Sequence, residues 1–327
     1  MLVIKVPLRI SFLGGGTDLP EVINDIGYGK VITSTIDKFI YITIKDHQNF
    51  DEKYRLNYSL TETVSSIDKI KNNIIRNCLK FYDYRSSLYI STIADISSNT
   101  GLGSSSSFAS GLVFGLNFLK KNKKLNPKKN SEIAYHIERN LVKSYCGKQD
   151  QYITCFGGFN LITFEKSQTI VSKINRKKNI NDIFESMSSF YLNKQRSAKN
   201  ILKSQTGIIN KKLSLYRELN ALTDEGYNLM NSKCFNLRDF GKLIDLSWKI
   251  KRELSPLISN KVIDGIYDDL KKIGIYGGKL SGAGGTGFFN ILHSKKNRNK
   301  IINYMKLKGF GYYNFNSYSR GIELNII

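Results

Sequence analysis

The most constraining feature of this sequence is the stretch Ser-Asn-Thr-Gly-Leu-Gly-Ser-Ser-Ser-Ser at residues 98–107. Before it, residues 88–96 are rich in β-branched and aromatic side chains and predict a strand. After it, Phe108, Leu112 and Leu116 recur at helical spacing, so the serines are predicted to open a helix of about four turns. The chain is therefore expected to run from a strand through a glycine-rich loop into a helix.

Such a junction is typical of an anion-binding site. The first N–H groups of a helix lack partners within it and lie at the positive end of its dipole, and glycines let a ligand approach the backbone. Serine hydroxyls add donors for phosphate oxygens and ligands for Mg²⁺. The stretch predicts a phosphate site rather than a Ser/Gly linker, because linkers seldom lead directly into a helix with an apolar stripe.

Two familiar phosphate loops do not fit this stretch. A P-loop requires Lys before its Ser or Thr, whereas Gly103 is followed directly by Ser104. The dinucleotide-binding fingerprint requires a third glycine at the position that Ser106 occupies. The stretch therefore belongs to neither of these two classes.

Two further glycine clusters lie near the ends of the chain. Gly-Gly-Gly-Thr-Asp at residues 14–18 marks a place where backbone geometry or close approach is needed, although a plain sharp turn stays open. Arg9 and Asp18 flank this cluster; the first suits a phosphate, and the second suits sugar hydroxyls or an ammonium group. The last cluster, at residues 277–287, lies between a predicted helix and a predicted strand.

Composition bounds the class of protein. The 327 residues, 41% of them hydrophobic, suffice for two domains with a core each. The N-terminal apolar run is too short for a signal peptide, and no stretch approaches the roughly 18 apolar residues of a membrane span, so we expect a cytoplasmic protein with no membrane partner. The four scattered cysteines and three histidines indicate neither a zinc site nor a disulfide framework.

The charge balance allows two explanations. Fifty Lys and Arg against 27 Asp and Glu give a net charge of +23, which a nucleic-acid-binding protein would share. However, the basic clusters at residues 120–124 and 176–178 lie between periodic segments and lack interleaved aromatic residues for base stacking. We therefore favour solvated surface lysines over a nucleic-acid partner; a positive field would also attract anionic substrates.

Hydrophobic periodicity predicts the other elements. These are paired strands over residues 30–44, a helix over 131–143 with Ser131 as its N-cap, and long helices over 208–230 and 237–254. Trp248 is assigned to the core, and the polar, basic segment 165–183 is the candidate crossing between domains. Asp150 follows Gly147 between predicted elements, which suits a catalytic carboxylate but also a cap or a surface residue.

Together, the three glycine clusters resemble the motifs of the GHMP kinases, the family of galactokinase, homoserine kinase and mevalonate kinase. Residues 7–18 resemble its first motif, residues 100–107 its phosphate loop and residues 279–287 its third motif. The resemblance covers essentially the whole chain and implies ATP and Mg²⁺ as cofactors. It also implies an α+β fold of two domains: an N-terminal ribosomal-protein-like α/β domain (residues 1–175) and a C-terminal ferredoxin-like α+β domain (residues 176–327).

Within the family, the segments Pro-Leu-Arg-Ile-Ser, Gly-Lys-Gln-Asp-Gln-Tyr and Gly-Gly-Phe-Asn are most similar to those of D-glycero-D-manno-heptose 7-phosphate kinases. This resemblance implies ATP-dependent phosphorylation of the anomeric hydroxyl to the 1,7-bisphosphate, on the route to nucleotide-activated heptose for surface polysaccharides. Kinases of fucose- or galactose-like sugars share much of the pattern, so the acceptor sugar and its anomer stay open. The choice between ATP and GTP and the oligomeric state stay open as well. A basic nucleic-acid-binding protein whose glycine loops are only turns is the alternative from another class.

The resemblance also implies roles for individual residues. Asp150 matches the catalytic aspartate, and Arg9 matches the cation near the transferred phosphate. Ser105 and Glu138 match the residues that hold Mg²⁺. The nucleotide is expected to contact the phosphate loop, at Asn99, Gly101, Leu102, Gly103, Ser104, Ser105 and Ser106. The sugar is expected to contact the first and third motifs, at Gly15, Gly16, Thr17, Asp18, Gly282 and Gly284.

A sugar that already bears a phosphate needs further cations in its pocket. Arg196 and Lys148 are the candidates, although each also fits a solvated surface charge. The chain departs from the family pattern ahead of the phosphate loop, where Asp-Ile-Ser-Ser-Asn at residues 95–99 lacks the usual proline. Because the phosphate-facing glycines and serines are present, this departure bears on the rigidity of the loop's entry and on little else.

Overall fold

A computed structural model of the chain describes residues 1–46, 53–192, 201, 203–204 and 209–327. Among these residues, eight strands form one mixed sheet and four form a second, antiparallel sheet. The first sheet contains β1 (Leu2–Leu13), β2 (Tyr28–Asp46), β3 (Tyr54–Asn57), β4 (Thr61–Val64), β5 (Leu88–Ala94), β6 (Phe159–Glu165), β7 (Thr169–Lys173) and β12 (Glu323–Ile326). The second contains β8 (Met187–Leu192), β9 (Ile275–Leu280), β10 (Gly287–His293) and β11 (Gly311–Tyr313).

Helices cover both sheets. Those of the first part of the chain are α1 (Pro20–Ile26), α2 (Asn73–Phe81), α3 (Ser104–Lys121), α4 (Pro127–His136) and α5 (Gln149–Phe156). Those that follow β7 are α6 (Lys177–Glu185), α7 (Leu213–Asn231), α8 (Leu237–Leu254), α9 (Lys261–Ile273) and α10 (Arg298–Leu307). In the ranges that the structure describes, none of the helices has both the length and the apolar character needed to cross a membrane.

The long strand β2 is the centre of the first sheet. The prediction of paired strands over residues 30–44 is wrong, because β2 is one strand of 19 residues. No glycine, proline or asparagine interrupts residues 30–44, so the chain has no local signal for a reversal. One edge of β2 pairs with β1, and the other pairs first with β6 and then with β5.

Helix α3 confirms the strand, loop and helix predicted around residues 98–107. It packs directly on β1 and β2 through glycine: a Cβ at Gly111 would lie 2.7 Å from side-chain atoms of both Val6 and Ile42. This close approach brings the start of the helix to the first strand, and a Cβ at Gly103 would lie 3.2 Å from Cγ of Arg9. The sheet therefore fixes the position of the phosphate loop.

Helix α4 begins earlier than predicted. Ser131 was the predicted N-cap, but the helix starts at Pro127, and the Asn126 side chain accepts a hydrogen bond from the Lys129 N–H at 2.8 Å. Asn is a strong N-cap, and Pro fits the first turn because it needs no N–H partner there. Beyond α4, the chain continues through a π-helical turn, Ile137–Leu141, a form that often occurs at functional sites.

The second sheet forms its own core with the helices that follow β7. Trp248 of α8 is fully buried beside Phe289 of β10, as predicted, and Tyr267 of α9 stacks on the same ring. Helix α8 matches the predicted span, whereas α7 begins at Leu213, after a short 3₁₀ turn. The opposite face of the second sheet, with Met187, Phe288 and Leu292, packs into the core of the first sheet.

The end of the chain returns to the first sheet. Strand β12 pairs antiparallel with the start of β1, from Leu2 with Ile326 to Lys5 with Glu323. The domain boundary predicted at residues 175/176 falls between β7 and α6 and stays a prediction. Strand β12 lies beyond this boundary in sequence but beside the first strand in space.

Candidate active site

The second and third glycine clusters touch through their backbones. The Thr100 carbonyl accepts a hydrogen bond from the Phe288 N–H at 3.1 Å. A Cβ at Gly101 would lie 2.6 Å from the Ser281 carbonyl oxygen, and a Cβ at Gly282 would lie 2.9 Å from Cα of Gly101. Both glycines also have positive φ angles, +81° and +65°. Close backbone contact and backbone conformation thus both require glycine here.

An ion pair between Arg9 and Asp150 lies at the centre of the site. Arg9 follows one irregularity in the pairing of β1 with β2 and precedes another, and such bulges redirect side chains. Asp150 lies in the first turn of α5. Arg9 donates from Nε to Oδ1 at 2.7 Å and from Nη2 to Oδ2 at 2.6 Å. The third guanidinium nitrogen of Arg9, Nη1, donates to the Gly101 carbonyl and so holds the ion pair against the phosphate loop.

The ion pair with Arg9 keeps the Asp150 carboxyl ionised. Burial alone would raise the pKa of its carboxyl, but Arg9 and the Gln149 side chain outweigh burial and hold the pKa below its usual value. Gln149 donates to Oδ1 of Asp150 at 2.9 Å and accepts a hydrogen bond from the Ser11 hydroxyl at 2.9 Å. Asp150 is therefore an oriented carboxylate at neutral pH and a weak base.

The start of α3 opens onto a cleft of about 410 Å³. Gly103 precedes the helix with a φ of +80° and makes no side-chain cap. The first N–H that bonds back to it is that of Ser107, so the three N–H groups before Ser107 have no partner within the helix. The predicted nucleotide-binding residues that line this cleft are Asn99, Gly101, Gly103, Ser104, Ser105 and Ser106. The cleft therefore offers free backbone donors to an anion.

Glu138 lies in the π-helical turn and faces the same cleft. It accepts hydrogen bonds from the Ser105 hydroxyl at 2.7 Å and from the Gln151 amide at 2.6 Å. Burial raises the pKa of its carboxyl although these two bonds oppose the shift. The other side-chain atom of Gln151, Oε1, is buried without a partner. A buried carboxylate and a serine hydroxyl thus lie together at this cleft.

These oxygens are the ligands that Mg²⁺ prefers, and a cation would relieve the burial of the Glu138 charge. No group of three or more His, Cys, Asp and Glu suited to a metal occurs in the described part of the chain. Mg²⁺ commonly binds to one or two protein ligands and completes its coordination with water and substrate phosphates. The residues present therefore fit a magnesium ion that binds together with a nucleotide.

A second, smaller cleft of about 90 Å³ shares Arg9 and Asp150 with the first. The Arg9–Asp150 pair thus borders both clefts. Among the residues predicted to contact a sugar, those that line this cleft are Gly15, Gly16, Asp18 and Gly282. The geometry fits a donor in the larger cleft and an acceptor in the smaller one, with the ion pair between them.

Asp18 is held firmly in the smaller cleft. Its carboxylate accepts hydrogen bonds from the backbone N–H groups of Gln149, at 3.0 Å, and Gly16, at 3.3 Å. Burial raises the pKa of this carboxyl, while the bond from Gln149 opposes the shift. A Cβ at Gly147 would lie 2.0 Å from Oδ2 of Asp18, so glycine at residue 147 leaves the space that the carboxylate needs.

Two buried lysines beside this cleft were not among the predicted site residues. Lys251 of α8 lines the cleft and donates to the Gly282 carbonyl at 2.7 Å. Lys279 of β9 donates to the Phe12 carbonyl at 3.2 Å. The signal for Lys251 is its place on the apolar stripe of α8, three residues after the buried Trp248. The other lining residues without a predicted role are Ser11, Leu19, Cys146, Gly147, Gln149 and Ala283.

Lys148, a predicted sugar contact, is not among the residues that line the two clefts. Its Nζ lies 3.1 Å from both carboxylate oxygens of Glu132 and 5.2 Å from the ring centre of Tyr135. This ion pair turns the ammonium group away from Asp150, two residues further along the chain. Local sequence gave no indication of that direction.

Three other predicted contacts have different positions. Thr17 is fully buried, and its hydroxyl bonds the Lys30 backbone instead of lining the cleft. Gly284 lies against Ile258 and supports the third glycine cluster. Leu102 has a buried side chain, and its carbonyl accepts the Arg9 N–H at 3.1 Å. The remaining candidate, Arg196, lies outside the described residues.

Comparisons with known proteins agree with this geometry. The family models "GHMP kinases N terminal domain" and "GHMP kinases C terminal" match residues 70–158 and 230–309. A D-glycero-alpha-D-manno-heptose 7-phosphate kinase from Campylobacter jejuni is 30% identical over 323 residues, covering 94% of each chain. A galactokinase from Pyrococcus furiosus is 25% identical over 318 residues, covering 86% of each chain.

A solved structure confirms the fold. The crystal structure of a D-glycero-D-manno-heptose 1-phosphate kinase from Bacteroides thetaiotaomicron has a TM-score of 0.80 and 20% identity to this chain. The similarity covers 100% of this chain and 99% of the other, so the predicted two-domain α+β architecture is confirmed. The chain therefore belongs to the GHMP kinases and is a sugar kinase of that family, with ATP as its phosphate donor.

Proposed function

We propose that this kinase transfers the γ-phosphoryl group of ATP to the anomeric hydroxyl of D-glycero-D-manno-heptose 7-phosphate and forms the 1,7-bisphosphate. The observation that carries the reaction is the Arg9–Asp150 pair, which borders both clefts. The choice of acceptor rests on the Campylobacter jejuni relative, whose name specifies that sugar phosphate. The product would serve a route to nucleotide-activated heptose for surface polysaccharides.

The larger cleft is the proposed donor site. The phosphates of ATP would accept hydrogen bonds from the free N–H groups at the start of α3. A neighbouring cleft, also of about 410 Å³, shares Ser104 and Ser105 with it and is partly apolar. Its apolar lining residues are Ile40, Tyr58, Ile74, Ala94, Ile96 and Phe108. Such a surface suits the nucleoside, because base-sized ligands bind mainly through apolar contacts with a few polar anchors.

Ser105 and Glu138 are the proposed protein ligands of Mg²⁺. When bound, the ion would neutralise charge on the phosphate oxygens. The Gln151 amide holds Glu138 at 2.6 Å and so fixes the carboxylate toward Ser105. This support from a neighbouring side chain keeps the ligand atoms in place before a nucleotide arrives.

Asp150 is the proposed proton acceptor. As the acceptor oxygen bonds to the γ-phosphorus and the bond from phosphorus to the ADP oxygen breaks, the hydroxyl proton passes to a carboxylate oxygen of Asp150. Although burial works against it, Arg9 keeps the pKa of this carboxyl low, so the proton transfers late and the carboxylate first orients the hydroxyl. Arg9, held by the same contact, presents its charge to the phosphoryl group in transfer.

Other sugars are the alternative acceptors. The Pyrococcus furiosus relative is named a galactokinase, and fucose-like sugars fit the same family pattern. These acceptors share the hydroxyl that reacts but lack the phosphate at the other end of the sugar. The response of the enzyme to that phosphate therefore separates the two proposals.

The test is ADP release with heptose 7-phosphate, heptose, galactose, fucose and mevalonate as acceptors. We expect the highest kcat/KM with heptose 7-phosphate and a decrease of about a hundredfold or more in Asp150→Asn. Asp268→Asn changes an exposed carboxylate of α9 in the same way and is expected to keep wild-type turnover. Preference for galactose or fucose would replace the proposed acceptor, and no ADP release with any sugar would contradict the reaction.

A further inference from the structure

Lys251 lines the smaller cleft, and the ammonium group of Lys279 lies behind it, near Gly15. The two residues are only 4% and 2% exposed. Each donates to a backbone carbonyl, and within the described ranges no carboxylate lies within 4.0 Å of either nitrogen. A buried ammonium group without an anionic partner is costly, because burial removes its hydration. Among the described residues, neither ammonium group therefore has a carboxylate as a direct ion-pair partner.

Because residue 15 is glycine, no side chain of its own lies beside the two nitrogens. A Cβ at Gly15 would lie 3.5 Å from Nζ of Lys251 and 3.7 Å from Nζ of Lys279. The Ser11 hydroxyl lies 3.2 Å from the same point. Each ammonium group has three donors, and the contact to a carbonyl uses one of them. A ligand beside Gly15 would thus meet several unused donors at once.

The electrostatics of the two lysines also favour an anion. Burial, together with Arg9, lowers the pKa of Lys251 to about 8, although Asp18 and Asp150 oppose the shift. Burial, Lys251 and Arg9 lower the pKa of Lys279 well below its usual value. A bound anion would offset the loss of hydration and favour the charged form of both groups.

We propose that Lys251, backed by Lys279, forms a phosphoryl-binding subsite beside Gly15 in the smaller cleft. The phosphoryl group has two candidate sources: the acceptor's own phosphate or the group in transfer from ATP. The first source rests on the proposed function, in which the acceptor is a sugar phosphate. Lys148 pairs with Glu132, so this subsite takes the role predicted for that lysine.

The test separates the charge of Lys251 from its hydrogen bond. Lys251→Gln keeps a donor for the Gly282 carbonyl and removes the charge, so a merely structural role for Lys251 predicts wild-type behaviour. Lys242→Gln is the matched control, since Lys242 lies on the same helix and its side chain is 61% exposed in a surface pair with Asp239. Three calorimetric titrations are compared: inorganic phosphate into the protein saturated with Mg²⁺ and AMP-PNP, AMP-PNP into the free protein, and ADP into the free protein.

If the subsite holds the acceptor's phosphate, inorganic phosphate binds the wild-type AMP-PNP complex, and Lys251→Gln weakens this binding about tenfold or more. If it holds the group in transfer, Lys251→Gln weakens AMP-PNP by a similar factor and leaves ADP affinity unchanged. Wild-type results from Lys251→Gln in all three titrations would overturn the proposal. If this variant does not fold, Lys279→Gln is measured instead. No titration contains a sugar, so failure of the proposed acceptor leaves these outcomes unaffected.

Discussion

Replacing Asp150 by Asn removes the charge that faces Arg9 and preserves the size of the side chain. The Arg9 side chain is 4% exposed and the Asp150 side chain 24% exposed. Removing one partner of a fully buried pair costs about 3–5 kcal/mol, whereas an exposed pair contributes about 0–1 kcal/mol. Because the Asn oxygen still accepts one bond and the cleft hydrates the site, we expect the free energy of unfolding to fall by about 2 kcal/mol at pH 7.

This loss is expected to depend on pH. Burial raises the pKa of the Asp150 carboxyl, but Arg9 and Gln149 lower it further, so its value in the folded protein lies below the unfolded value of about 3.9. The stability that the carboxylate contributes is therefore complete above the unfolded pKa and is lost as the pH falls through the folded pKa. The free energies of unfolding of the wild type and of Asp150→Asn should converge in strong acid.

Urea unfolding, monitored by the fluorescence of the buried Trp248, measures this difference at pH 7 and below. Turnover and AMP-PNP affinity are measured on the same samples, with Asp268→Asn as the surface control. We expect turnover to fall about a hundredfold or more while AMP-PNP affinity is retained. Wild-type turnover, or equal free energies of unfolding at pH 7, would refute the pairing of Arg9 with Asp150 as the basis of the site.

Three further predictions concern the rest of the site. Burial raises the pKa of the Glu138 carboxyl, so ionisation of this group destabilises the folded protein as the pH rises through the raised pKa. Glu138→Gln removes that charge and should therefore keep or increase the Tm at pH 7. It should also lose the extra Tm that Mg²⁺ adds to the AMP-PNP complex, and an undiminished Mg²⁺ effect would contradict its role as a ligand. Because a methyl group at Gly147 would lie 2.0 Å from Asp18, Gly147→Ala should raise the acceptor KM about tenfold or more and leave the KM for ATP unchanged; equal increases would argue against an acceptor site there. Phosphate binding near pH 8 should take up protons, because an anion restores the pKa of Lys251 from about 8 toward its usual value. The other charged groups around Lys251 are Arg9, Asp18, Asp150 and Lys279. Calorimetry in buffers of different ionisation enthalpy measures the uptake, which should be absent in Lys251→Gln; uptake retained in that variant would assign it to another group.

Local patterns predicted local structure where the chain gives its own start and stop signals. The loop at residues 98–107 and α3 follow from a β-rich run, two glycines and an apolar stripe. The start of α4 was missed because Asn126 and Pro127 precede the periodic region that predicted the helix. The single long strand β2 was missed because the prediction assumed a reversal for which residues 30–44 contain no glycine, proline or asparagine.

Contacts between distant residues had no local signal. Arg9 and Asp150 are 141 positions apart, and only the family resemblance placed them in one site. The positions of lysine ammonium groups were equally hard to predict, because local sequence does not show in which direction a long side chain extends. Lys148 follows a glycine in the active-site segment and turns away, whereas Lys251 lies in an ordinary amphipathic helix and turns in. Burial and charge at these positions come from the packing of the two sheets and their helices.

The position of the new phosphate on the sugar tests the proposed reaction most directly. The protein is incubated with ATP, Mg²⁺ and D-glycero-D-manno-heptose 7-phosphate, and the product is examined by two-dimensional correlation of its proton and phosphorus resonances. We expect two sugar phosphate signals, one coupled to the protons on carbon 7 and a new one coupled to the anomeric proton. A new phosphate coupled to any other proton of the sugar, or ATP consumption without a second sugar phosphate, would contradict transfer to the anomeric hydroxyl.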